Sequence, residues 1–152
     1  MNYDELRELL FDASYCVIDF LPRQVPEGSG GKYFAVEKYF SEHPRIDALY
    51  RSFARIALKL GCYYRLALYD PASDGWSDSP DPEELTRRIE ECAFPGKDRY
   101  VQILFPGEGA MLALNGDDLY MTLYAPSDEL RETADKLAGA EGLFLREPGD
   151  CI

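Results

Sequence analysis

Three strand-like segments in the C-terminal half of the chain constrain the fold more than any other feature of the sequence. Residues 99–105, 109–114 and 118–124 are rich in apolar and aromatic residues, and there the hydrophobic period changes from helical to two. A Pro-Gly-Glu-Gly stretch separates the first two segments, and Asn115-Gly116, a strong short signal for a hairpin, separates the last two. The pattern predicts an antiparallel meander.

Helical patterns surround this meander. The longest covers residues 44–60, where apolar residues recur every three or four positions and Gly61 is placed to end the helix. Further helices are predicted at 2–13, at 81–92 and after Ser127, and short strands at 15–21, 62–69 and 142–147, whereas 32–40 fits either state. The sequence therefore predicts one α+β domain, residues 1–152, in which about four or five helices cover a mixed sheet of about five or six strands.

The excess of acidic residues disfavours some classes of binding partner. The chain carries 28 aspartate and glutamate residues against 16 lysine and arginine residues, so its formal net charge is −12. Nucleic acids and anionic membranes repel such a chain, whereas a basic protein surface attracts it. The N-terminal segment is acidic and amphipathic, no apolar run is long enough for a membrane span, and the four cysteines lie far apart. These features predict a soluble, cytoplasmic protein.

A glycine-rich loop at residues 22–32 imitates a nucleotide-binding loop. It follows an apolar segment and ends in Gly31-Lys32, but Pro26 occupies the place of the first glycine and Tyr33 that of the magnesium-binding hydroxyl. We therefore predict no phosphate site and no cofactor here. The loop is expected to be a surface loop or a mobile flap over a binding surface, with three side chains reaching from it: Arg23, Gln24 and Lys32.

A second loop, residues 70–81, has aspartates at four of the ligand positions of a calcium-binding loop: Asp70, Asp74, Asp78 and Asp81. Ala72 removes a further ligand, and Asp81 is also needed as the N-cap of the helix that begins at Pro82. The pattern leaves a divalent-cation site as an alternative to a solvated acidic turn.

Catalytic groups are scarce in this sequence. The one histidine, His43, precedes Pro44 just before the longest helix, and no motif joins a nucleophile to a base. A lone histidine in this setting is typical of a helix start rather than of a catalytic site.

Two sets of side chains are candidates for a binding surface. One face of the predicted meander is apolar, and the other is polar and aromatic and carries Tyr100, Gln102, Tyr120, Thr122 and Tyr124. On the predicted outer face of helix 44–60, Arg51, Arg55 and Lys59 follow one another at intervals of four residues. Such a basic stripe requires acidic neighbours within the fold or an acidic partner.

These observations give a leading functional hypothesis and an alternative. The leading hypothesis is a non-catalytic binding protein, such as an inhibitor, an immunity-type antidote or an adaptor, which docks another protein through the aromatic sheet face and an acidic surface. A basic protein is the easier partner, and a second copy of the chain is an open option. The alternative is a small-molecule-binding or divalent-metal-dependent enzyme that uses the 70–81 acidic loop and the 22–32 glycine loop.

Overall fold

Seven strands within the described part of the chain form one antiparallel sheet. The computed structural model describes residues 1–26, 28, 30–94, 99–116 and 118–148. The strands are β1 (Tyr15–Asp19), β2 (Ala67–Asp70), β3 (Gly75–Asp78), β4 (Tyr100–Phe105), β5 (Ala110–Asn115), β6 (Tyr120–Tyr124) and β7 (Phe144–Arg146). Their order across the sheet is β3-β2-β4-β5-β6-β1-β7.

Five helices in the same described residues complete an α+β fold. They are α1 (Tyr3–Leu10), α2 (Lys32–Ser41), α3 (Arg45–Leu60), α4 (Pro82–Glu91) and α5 (Asp128–Ala140). Three of them begin at side chains that accept a hydrogen bond from the first turn, namely Asn2, Asp81 and Ser127. None of these five helices is long and apolar enough to cross a bilayer.

The predicted meander is confirmed as β4, β5 and β6. The register aligns Ile103, Leu112 and Leu123 in one row across the three strands. Glycine is required at position 116, in the connection between β5 and β6, because it lacks a side chain and not because it adopts a left-handed conformation. A Cβ at this position would lie 2.8 Å from both the Cβ and the carbonyl oxygen of Arg99, so the backbones approach too closely for any other residue.

The prediction of a mixed sheet was wrong, because every pairing in the described residues is antiparallel. The physical reason lies in the helical connections. β3 and β4 are joined through α4, and β6 and β7 through α5, but in each case another strand lies between the two. A helix crossover therefore never joins neighbouring strands, and no parallel pair arises.

The strand count also exceeds the predicted five or six, because β3 lies within the segment predicted as an acidic loop. A tight turn folds β3 back onto β2, with Asp74 at a φ of 52°. The Tyr69 hydroxyl donates a hydrogen bond of 2.5 Å to the Asp74 carboxylate and holds the turn. The strand predicted at 62–69 begins only at Ala67, because residues 62–64 continue the turns that follow α3.

One face of the sheet contains the main core. It packs against α3, α4 and α5, and its buried side chains include Ile103, Leu112 and Met121 together with Phe53 of α3 and Leu130 of α5. This arrangement confirms that the apolar side of the meander faces the helices. Burial of these side chains is the main stabilising contribution to the fold.

Within the described part of the chain, the other face is covered at one end only, by α1. Leu10 packs there against Ala67, Leu104 and Met111. The Arg7 guanidinium lies 4.1 Å from the centroid of the Tyr69 ring, which adds a cation–π contact to the apolar packing. α1 therefore lies over the β2, β4 and β5 end of this face.

Candidate functional site

The uncovered end of the second face forms a cleft of about 640 Å³, which we name the tyrosine cleft. β1, β6 and β7 make its floor, and α2 with residues 20–24 makes a wall. The register places Thr122, Val17 and Arg146 in one row across this floor. Its lining includes Tyr15, Asp19, Tyr33, Glu37, Asp118, Tyr120, Thr122, Tyr124 and Arg146.

A nearly buried ion pair occupies the cleft floor. Arg146 donates to one carboxylate oxygen of Asp19 from both Nη2, at 2.8 Å, and Nε, at 3.1 Å. The Arg146 side chain is 12% exposed and the Asp19 side chain is 10% exposed. The pair forms because Val17 lies opposite Arg146 in the register, so that Asp19 is a diagonal neighbour two residues along on the same face. Each charge compensates the desolvation of the other.

Two tyrosine–carboxylate pairs flank this ion pair. On α2, Tyr33 lies one turn before Glu37, and burial, with Glu37 and then Asp19, raises the pKa of Tyr33 to about 12. At the start of β6, Tyr120 pairs with Asp118, and burial followed by that carboxylate raises the pKa of the phenol. Both tyrosines therefore stay neutral at pH 7 and act as hydrogen-bond donors.

Aromatic rings form the rim of the cleft. The Tyr124 ring lies 5.7 Å from that of Phe11 and 5.8 Å from that of Tyr15, measured between centroids. Tyr120 is the most accessible of the floor tyrosines of β6 and is 39% exposed. These rings give a partner large apolar area together with polar tips.

The charges of the lining residues sum to a negative value. Among the described residues that line the cleft, the carboxylates are Asp19, Glu37 and Asp118, and the only cation is Arg146. Field lines concentrate in such a concave, poorly solvated surface. The tyrosine cleft therefore favours a positively charged ligand group.

The wall formed by α2 is weakly attached to the rest of the molecule. α2 contains no fully buried residue, and its N-cap, Gly31, provides no side-chain hydrogen bond. Its main anchor is Phe40, whose ring lies 5.1 Å from that of Phe20 and packs on the core. The helix exposes Phe34 and Tyr39 to solvent next to the cleft.

The structure brings together three of the five predicted sheet-face residues in the cleft. Tyr120, Thr122 and Tyr124 line it, whereas Tyr100 and Gln102 lie on the same face but two strands away, on β4. Both are half-buried, and the Gln102 side-chain oxygen has no hydrogen-bond partner among the described residues.

The predicted basic stripe lies outside the cleft and is neutralised largely within the fold. Arg55 makes a two-pronged contact with Glu141, at 2.8 Å from Nε and 2.7 Å from Nη2, and Lys59 approaches the same carboxylate at 3.9 Å. The bond from Arg55 lowers the pKa of Glu141. Arg51 lines a separate groove of about 550 Å³ between α3 and α4.

The glycine loop contributes little to the lining. Gly28 and Gly30 adopt positive φ values of 79° and 90°, as a turning loop requires, while residues 27 and 29 lie outside the described part of the chain. Gln24 reaches the cleft, whereas Arg23 and Lys32 are exposed elsewhere.

The predicted cation ligands are engaged separately. Asp70 accepts hydrogen bonds from the Ala72 amide and the Ser73 hydroxyl, Asp74 from Tyr69, Asp78 from Tyr3, and Asp81 from the Glu83 amide. Among the described residues, which include all of 70–81, no three His, Cys, Asp or Glu side chains are grouped to hold a metal ion. The alternative metal site therefore gains no support from the geometry.

His43 contacts two neighbouring side chains of the fold, those of Asp47 and Phe94. Its Nδ1 lies 2.7 Å from the Asp47 carboxylate one turn into α3, and its ring stacks on Phe94 at 4.7 Å between centroids. These contacts fix the ring where the chain enters α3.

Sequence reasoning missed the charged part of the cleft. Asp19 ends an otherwise apolar strand, and a charge at such a position signals a paired, buried group. The identity of its partner, Arg146, and the placement of Glu37 follow only from the tertiary fold. Comparisons of the chain with protein-family models, curated proteins and solved structures found no match.

Proposed function

We propose that this protein is a non-catalytic binding protein that docks another protein in the tyrosine cleft, as an inhibitor, an immunity-type antidote or an adaptor. The observation that carries the proposal is the open, tyrosine-bearing end of a sheet face whose other end is covered by α1. We place the activity in the cytoplasm, where its free, widely spaced cysteines remain reduced.

The aromatic side chains would supply the binding energy. Tyrosine is enriched among the residues that dominate protein interfaces, because it buries a large area and loses little conformational entropy. Tyr120 is accessible before binding and projects from a β-strand, so it is positioned without a change of fold.

The charge distribution favours a basic partner. The chain has a net charge of −12, and three carboxylates line the cleft against one guanidinium. Complementary potentials of this kind accelerate association and exclude acidic competitors.

A second candidate function is the binding of a small molecule. The cleft volume of about 640 Å³ lies within the range of ligand pockets, about 300–1,000 Å³. The proposed protein partner and a small ligand would use the same surface, so an experiment that identifies the occupant separates them.

Site-specific crosslinking tests the proposal in cells. A photoreactive phenylalanine at position 120 should crosslink to one predominant protein, while the same group at Tyr63, which is 68% exposed and does not line the cleft, should not. The purified partner should then bind Tyr120→Ala about thirtyfold more weakly than the unmodified protein, as loss of an interface anchor requires. Equal crosslinking from both positions, or unchanged affinity, would contradict docking in the cleft.

A further inference from the structure

The covered end of the second sheet face shows which chemistry this surface accommodates. α1 lies there as an amphipathic helix and places Arg7 against two rings, 4.1 Å from the Tyr69 centroid and 5.9 Å from that of Trp76. The Arg7 side chain is only 16% exposed. An arginine stacked on aromatic rings is thus already a stable element of this face.

The open end presents the same components and, among residues 1–26, 28, 30–94, 99–116 and 118–148, no comparable covering segment. Tyr15, Tyr120 and Tyr124 supply the rings, and the cation Arg146 is engaged by Asp19. Glu37 and Asp118 supply carboxylates to the lining, and a carboxylate has about four acceptor positions.

We propose that the partner protein inserts an arginine-bearing segment into the tyrosine cleft, with its guanidinium between the tyrosine rings and the carboxylates of Glu37 and Asp118. This inference rests on the proposed function, because it specifies the part of the docked protein that enters the cleft. The inserted arginine would take, at the open end of the sheet face, the place that Arg7 of α1 takes at the covered end.

Arginine fits this surface better than lysine. The guanidinium is planar, stacks on rings and offers five donors, whereas an ammonium is compact and strongly hydrated. The chain itself uses arginine in this way a second time, since the Arg45 guanidinium lies 3.8 Å from the Tyr39 centroid.

The rim favours a segment of a protein over a free cation. Phe11, Tyr15 and Phe144 are exposed around or beside the cleft, where they can contact apolar side chains that flank the arginine. A polyamine would leave these rings without an apolar partner.

The test is an NMR titration of the intact protein with defined probes. Acetyl-Leu-Arg-Leu-amide should shift the amide signals of α2, β1 and β6, and the citrulline analogue, which lacks the charge, should bind at least about fivefold more weakly. Glu37→Gln should lower affinity for the arginine peptide about fivefold, because it removes a carboxylate charge from the cleft. The fold should stay intact, since Glu37 lies on a helix without buried residues. Glu132→Gln on α5, outside the cleft, is the matched control.

The outcomes separate this inference from the proposed function. Equal binding of the arginine and citrulline peptides, an unaltered affinity in Glu37→Gln, or shifts outside α2, β1 and β6 would overturn the arginine anchor, while a crosslinked partner at position 120 would keep protein docking intact. Spermidine binding the cleft as tightly as the arginine peptide would overturn the assignment to a protein segment. Absence of a crosslinked partner together with charge-dependent peptide binding would contradict the proposed function instead.

Discussion

The ion pair between Asp19 and Arg146 is the residue-scale feature on which the tyrosine cleft depends. Both side chains are about nine-tenths buried, so neither charge is fully hydrated when its partner is absent. The pair also ties β7, which has only three residues, to β1. Loss of either member should therefore affect both the stability of the fold and the shape of the cleft floor.

We expect Arg146→Met to destabilise the protein by about 3 kcal/mol, because it leaves the Asp19 carboxylate buried without a cation. The double variant with Asp19→Asn should lose less stability than the two single variants together, by about 1 kcal/mol or more. Urea unfolding of the four proteins measures this coupling. The exposed pair Glu132–Lys136, at 3.2 Å, is the control and should show a coupling below about 0.5 kcal/mol. Additive losses at Asp19 and Arg146 would contradict a coupled pair.

Glu141 gives a second residue-scale prediction, on pH dependence. Arg55 holds the pKa of the folded-state carboxyl below its ordinary value of 4.5, so the ionised form stabilises the fold. That contribution is complete above pH 4.5 and is lost as the pH falls through the lower folded-state pKa. The difference in unfolding free energy between the unmodified protein and Glu141→Gln should therefore be constant from pH 7 to pH 5 and shrink at lower pH. A difference that grows on acidification would contradict this assignment.

At the scale of elements, α2 and α3 differ sharply although they are adjacent in the chain. α3 buries eight residues, among them Phe53 and Ile56, whereas no residue of α2 is fully buried. Burial and not helix length decides local stability, because tertiary packing supplies most of the stability of helices in proteins. We therefore expect α2, the wall of the tyrosine cleft, to be less stable than α3.

Amide hydrogen exchange should show this difference directly. We expect amides of α2 to exchange through local opening, and those of α3 only through global unfolding. Phe40→Ala removes the contact with Phe20 and should accelerate exchange in α2 while leaving α3 unchanged. Phe34→Ala, at a ring that is 69% exposed, is the control and should have little effect. Equal protection of the two helices would show that α2 is anchored by contacts other than burial.

Local signals predicted many elements, because they act within a few residues. The N-cap Asp81 and the alternating meander both formed as expected. The position of β1 between β6 and β7 was not predictable, since pairing over more than a hundred residues leaves no local pattern. The charged half of the cleft depends on that pairing, so the sequence revealed only its tyrosine half.

At the scale of the whole molecule, three helices close one face of the sheet, and the residues that the structure describes close the other face at one end only. The predicted basic stripe lies on α3, on the closed side of the sheet, where Arg55 and Lys59 contact Glu141. Acidic groups therefore predominate on the molecular surface, in agreement with the net charge of −12 and the negative lining of the tyrosine cleft.

This excess of negative charge predicts a salt dependence of stability. Repulsion among like charges destabilises the compact state, and raising the ionic strength from about 0.01 M to about 0.15 M shortens the screening length from about 30 Å to about 8 Å. The melting temperature should rise over this range. The variant Asp12→Lys, which reduces the negative charge at an exposed site, should show a smaller rise. A fall in melting temperature with added salt would mean that attractive ion pairs dominate.

The order of the strands also has a consequence for biosynthesis. β1 forms the middle of the cleft floor, yet its partners are β6 and β7, since Tyr15 pairs with Tyr124 and Val17 with Arg146. At about 5–20 residues per second, segment 15–19 is synthesised roughly 5–20 s before its partner strands. The tyrosine cleft, our proposed docking surface, therefore lacks part of its floor in any chain that ends before β7. We expect recognition to begin only when translation has passed β7, so that unfinished copies cannot compete for the partner.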